Sequence, residues 1–182
     1  GGNDPETALL KACLLNTAED LGNPGPDFYY GWGRVNALRA LMTLEDNRYL
    51  SANMTQGGSN SHTITVPANT TQLRVMIYWQ DYEGVAGASF ALVNNLDLTL
   101  AEPGGAVYNP WILDHTPNPT NLALDAVRGV DTLNNMEQVT LENPAAGSYT
   151  VTVSGTMIPQ GPQKYYLVYE FKTDEVMVTY PL

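Results

Sequence analysis

Residues 73–79 read LRVMIYW, with Leu73, Val75, Ile77 and Trp79 at alternate positions. Successive side chains of a strand point to opposite faces, so these four line one apolar surface and the segment reads as a β-strand over a core. The same period recurs outward from it. HTITV at 62–66 alternates, and further strands are expected at 96–101, 107–113, 138–142, 148–154, 164–171 and 175–180. PGG at 103–105 and PAAG at 144–147 supply turns between them. Many short strands with turn-rich gaps predict a mainly β chain folded as an antiparallel, jelly-roll-like sandwich. Residues 114–131 form a long Pro/Asn-rich loop, a length usually reserved for functional or mobile segments.

Residues before 49 follow another rule. In NDPET at 3–7, Asp4 can cap a helix, Pro5 suits its first position and Glu6 complements its dipole. Ala8, Leu9, Ala12, Cys13 and Leu15 then trace an apolar face. The helix is expected to stop near Gly22, because NPGP at 23–26 cannot continue it. Gly31-Trp32-Gly33 reads as a tight turn around a large aromatic. A second helix is predicted over 34–44, with Val35, Leu38, Leu41 and Met42 at helical spacing.

Composition narrows the function. The 182 residues are 43% hydrophobic, enough for a core. Eight basic against 19 acidic residues give a net charge of −11, which argues against a nucleic-acid partner needing a basic patch. No apolar run approaches the ~20 residues of a membrane span. Low charge with many Asn, Thr, Gly and Tyr fits a secreted, extracellular bacterial β-protein. The single cysteine, Cys13, allows no internal disulfide and reads as a small buried core residue.

The helical segment is the most specific part. ALLKACLLNTAEDLG at 8–22 and YGWGRVNALRAL at 30–41 resemble the last two helices of a subtilisin-like serine protease domain. LVNNLDLTL (92–100), PWILD (110–114), NNMEQVTLENPAAGSYTVTVSG (134–155) and PQGPQKYYLVYEF (159–171) resemble the C-terminal jelly-roll domain of certain secreted bacterial subtilisin-like proteases. They are also similar to the P-domain of the proprotein convertases. The resemblance implies three parts: residues 1–48 as the end of a catalytic domain, 49–172 as a β-sandwich, and 173–182 as a linker or the start of a further β-module. It also implies an upstream catalytic domain as partner and a protein or peptide as that domain's substrate.

Catalysis is expected to lie outside this chain. The family's G-T-S-x-[AS]-x-P serine motif is absent, and the two histidines, His62 and His115, lack the family's context. Residues 87–91, GASFA, lack the setting of a nucleophile elbow. The expected role is stabilisation of the protease domain and help in presenting substrate. The alternative is a stand-alone binding module for carbohydrate or protein, using exposed aromatics such as Trp111.

One cation site is expected. Asn95 and Asp97 fall on one face of a strand, opposite Leu96 and Leu98. In the resembled domains the corresponding N-D-L-D-L segment contributes to a calcium site, and Asn95 stands where the first aspartate would be. Loop partners would be Asp114, Asp131 and Asn134, Asn135 or Glu137, since calcium takes six to eight oxygens, some of them carbonyls. The same residues also read as ordinary turn chemistry, as do Asp81 and Glu83.

Overall fold

The computed structural model describes residues 4–173. The expected strand at 175–180 lies outside them. Two helices come first: α1 (Thr7–Asn16) and α2 (Ala37–Glu45). Then come β1 (Tyr49–Met54), β2 (Ser59–Val66), β3 (Thr70–Trp79), β4 (Asn95–Ala101), β5 (Val107–Tyr108) and β6 (Trp111–Ile112). A one-turn helix, α3 (Pro119–Leu122), leads to β7 (Val127–Arg128), β8 (Met136–Glu142), β9 (Gly147–Met157) and β10 (Gln163–Thr173).

Apart from the small β6–β7 ribbon, the strands form two four-stranded sheets, β1-β10-β3-β8 and β2-β9-β4-β5, with every pairing antiparallel. First strand beside last, and consecutive strands alternating between sheets at the start, is jelly-roll order. The mainly β sandwich preceded by two helices is therefore as the sequence predicts. Alternation explains the core: Leu73, Val75, Ile77 and Trp79 of β3 meet Leu96, Leu98 and Leu100 of β4 and Val151 and Val153 of β9, all essentially solvent-free.

The other face of β3 is buried too. Met76 and Tyr78, with Tyr166 and Val168 of β10, form a second core under the helices, against Leu9, Ala12, Cys13 and Ala40. The helices thus pack on the sandwich, which settles where their faces go. Small residues at the contact let the helical backbones approach closely. Burial pushes the Cys13 thiol up to about 12, so it serves as a small apolar residue.

Three sequence expectations need correction. Glu6, not Asp4, stands at the N-cap of α1, and no side chain caps it. The helix ends at Asn16 rather than near Gly22, where the Thr17 hydroxyl donates to the Cys13 carbonyl at 2.8 Å. Its C-terminus meets Arg74, whose guanidinium donates to the carbonyls of Asn16 and Ala18, a cation placed where the helix dipole favours one. The second helix begins at Ala37 rather than Arg34, capped by Asn36; within α2 Ala40 and Thr43 are buried, whereas Leu38, Leu41 and Met42, and Val35 just before the helix, are 67, 49, 46 and 64% exposed.

The Gly-Trp-Gly turn has a local cause. Glu19 and Arg34 pair through reciprocal backbone bonds of 2.7 and 2.8 Å. Gly33 sits at φ +100°, and a Cβ there would lie 2.0 Å from the Glu19 carbonyl oxygen. Only glycine permits that approach. The Asp27 carboxylate accepts the backbone N–H groups of Asn23, Tyr29 and Tyr30 at 3.1, 2.8 and 2.6 Å, fixing the loop that precedes it.

Candidate metal centre

β4 is only partly covered by its short neighbour β5, which pairs with Leu100 and Ala101 alone. The Leu98 N–H is consequently free at the sheet edge. Glu137, near the start of β8 in the opposite sheet, reaches across the seam, and its Oε2 accepts that N–H at 2.6 Å. The residue is 1% exposed and its Oε1 has no partner. Oδ1 of Asp97 and Oδ1 of Asn95 are likewise buried and unpartnered.

Burial pushes the Glu137 carboxyl well above the usual carboxylate range; the Leu98 N–H opposes this, and the charges of Asp97 and Asp131 add to it. Burial raises Asp97 as well, with the Asn95 amide pulling the other way and the Asp131 charge adding to the rise. Burying an unpaired carboxylate is costly, and the two ordinary reliefs are a proton or a cation.

The residues picked from sequence do not all converge. Asn95, Asp97 and Glu137 present the three orphaned oxygens. Asp131 acts on them by charge, but its own carboxylate accepts the N–H groups of Leu133 and Asn134 at 2.8 and 3.1 Å and the Asn134 amide at 2.7 Å. Asn135 is tied to Trp79, donating from Nδ2 to its carbonyl at 2.8 Å. Asp114 is exposed and closes its own turn, accepting from Thr116 N–H at 2.9 Å and the Asn121 amide at 2.5 Å. The Thr116 hydroxyl first, then those bonds, hold its carboxyl down at about 2, and its charge is not among those acting on Asp97 or Glu137. Among the described residues no three His, Cys, Asp or Glu side chains gather as a ready ligand group. The donor set is two carboxylates and one amide oxygen, the hard oxygen chemistry suited to calcium, with main-chain carbonyls and water left to complete it.

Asp81 has a closing role: it accepts the N–H groups of Val93 and Asn94 at 2.6 and 2.9 Å, shutting the 82–92 loop just before β4. Trp111 is engaged internally. Arg128 stacks 3.5 Å from its ring centroid, its Nε1 donates to the Thr140 hydroxyl at 3.3 Å, and a Cβ on Gly25 would touch the ring at 3.3 Å. Beside it, a groove of about 440 Å³ runs between the 26–32 turn and the 130–136 segment. His62 Nε2 lies 2.7 Å from the Tyr165 hydroxyl, at the rim of the core. Among the described residues no helix is long and apolar enough to cross a membrane.

The molecule is thus a jelly-roll sandwich with a docked helical layer and a polar, orphan-rich seam. No family model matches the chain. It is similar to three Dictyostelium discoideum proteins. It is 26% identical over 179 residues to serine protease/ABC transporter B family protein tagA, covering 92% of this chain and 10% of that protein. It is 33% identical over 215 residues to the tagB protein, covering 91% and 11%. It is 28% identical over 232 residues to the tagD protein, covering 94% and 12%. The chain spans about a tenth of the length of these curated relatives. Among solved structures it overlaps the pre-peptidase C-terminal domain of a Bacillus anthracis collagenase with a TM-score of 0.38 at 13% identity, over 67% of this chain and 87% of that one. Proteins named as serine proteases therefore carry a distantly related segment over nearly the whole of this chain.

Proposed function

We propose that this chain is the non-catalytic C-terminal β-domain of a subtilisin-like, secreted serine protease, with the end of the catalytic domain still attached. In this reading the sandwich stabilises the protease domain and helps present its protein substrate. The observation that carries it is the two-sided helical layer. Leu9, Ala12 and Cys13 face the sheet, while Leu10, Leu14, Val35, Leu38 and Leu41 lie exposed on other faces of the helices and the turn between them. Helices apolar on more than one face are built to be covered on more than one side.

Two observations support the reading: the glycine-dependent turn at 31–33, where only glycine fits against Glu19, and the relatives' names. The encoded region upstream should carry D-x-G, H-G-x-H and G-T-S-x-A motifs in that order. A protease expressed without residues 49–173 should lose activity faster on heating than the intact one. An upstream region lacking those motifs would sink the proposal.

Calcium belongs to the same reading, held by Asn95, Asp97 and Glu137. A cation there neutralises the buried carboxylates and ties β4 to β8. Binding to the native state alone stabilises by RT ln(1 + [L]/Kd), so a hundredfold excess over Kd adds about 2.7 kcal/mol. A thermal melt in EDTA and then in millimolar calcium should separate by several degrees. Coincident curves would leave the cluster as plain seam chemistry.

A further inference from the structure

The seam and the groove share one short piece of chain. Asp131 begins it and Glu137 ends it. Leu133, Asn134 and Met136, in between, line the groove opposite Phe28 and Trp32. The piece has little slack. Asp131 gathers the N–H groups of Leu133 and Asn134. Asn135 and Trp79 exchange backbone and amide bonds of 3.2 and 2.8 Å, and the Trp79 indole donates to the Asn94 carbonyl at 3.0 Å, one residue before Asn95. Glu137 is pinned to Leu98.

We infer that cation loading at Asn95, Asp97 and Glu137 sets the shape of this groove, coupling the seam of the sandwich to the 26–32 turn of the helical segment. The inference rests on the cation reading above and goes beyond it. With no cation, Asp97 and Glu137 each keep a buried oxygen without a partner, and the Asp97 charge acts on Glu137. Turning Glu137 away relieves that, but it frees the Leu98 N–H and moves Met136, the next residue along. A cation draws both carboxylates inward and fixes the wall from Asp131 to Met136. Coupling of this kind is reciprocal: whatever alters the groove alters cation affinity by the same factor.

Hydrogen–deuterium exchange on the chain, in EDTA and in millimolar calcium, reads the coupling directly. Calcium should slow exchange about fivefold or more at 128–136 and at 27–32, and Asp97→Asn, far from the groove in sequence and absent from its lining, should abolish the difference. Calorimetric titration should show a several-fold weaker calcium Kd in Met136→Ala, with Trp111→Phe as a second, milder groove variant. If calcium raises the Tm while exchange at both segments and the variants' affinities stay unchanged, the coupling is overturned and the cation reading stands. Exchange protection that persists in Asp97→Asn also overturns it. If calcium leaves the Tm unmoved, the cation reading itself has failed, and the coupling with it.

Discussion

The sandwich is held by two cores of different chemistry. Between the sheets, β3, β4, β9 and β10 bring together aliphatic and aromatic side chains, and the buried polar contacts lie at the rim and seam. Between sheet and helices, the apolar contact is thinner and leans on small residues, while polar links carry register. Arg39 pairs with Glu170, which sits directly across the ladder from Arg74, and Gln138 donates to Asn16 at 3.0 Å. The first core is non-directional and sets how much stability there is. The second is directional and sets where the helices sit.

That contrast can be broken at either end. The largest effect is expected from Trp79→Ala, which opens a cavity in the inter-sheet core and should cost about 4 kcal/mol in urea denaturation. A loss below about 1 kcal/mol would mean that core is not the main source of stability. Glu170→Ala should follow at about 3 kcal/mol, since it strands Arg39 beside Arg74 in a mostly buried site. Loss of helical circular dichroism before the sandwich melts would show that the layer depends on this pair; a single unchanged transition would contradict it. Leu38→Glu, on the exposed side of α2, should change stability by under about 0.5 kcal/mol and reduce self-association in light scattering. A larger loss would mean that side is covered within the chain itself.

The smallest effect is a pH dependence from His62. Burial holds its imidazole below the ordinary value of 6.5. The unfolded chain therefore takes up the proton first, so this contribution is present above pH ~6.5 and is lost as pH falls through the ordinary range toward the depressed folded value. Stability should decline slightly from pH 7.5 to 5.5, and His62→Gln should flatten that part of the slope.

The sheets were legible because apolar residues recur at alternate positions along their strands, even where, as in β3 and β10, the other face is buried as well. β3, β4, β9 and β10 announce themselves by period alone. β1 does not: YLSANM follows the second helix with small or polar residues at half its positions, and it is a strand because β10 offers it an edge. The strand expected at 107–113 breaks into β5 and β6 around Asn109-Pro110, since proline cannot donate to a ladder. At the candidate site, Asn95 and Asp97 were legible as neighbours on one strand. Glu137 was legible as a candidate, but as a loop residue; that it stands in β8 and reaches the Leu98 N–H of β4 across the seam between sheets was not. The turn that Asp114 closes was legible too, since Asp-x-Thr is a signal for local capping.

The double-sided burial of β10 governs the order of events at birth. Its partners are β1, β3 and, through Glu170 and Lys164, Arg39 and Glu6, 131 and 158 residues earlier in the chain. The helices α1 and α2 are made before β10, so their sheet-facing side is not fully covered until residues 163–173 emerge. Topologies closed by such distant contacts fold slowly. Until β10 emerges, the apolar side of the helices stays open, the state in which unfinished chains aggregate most readily.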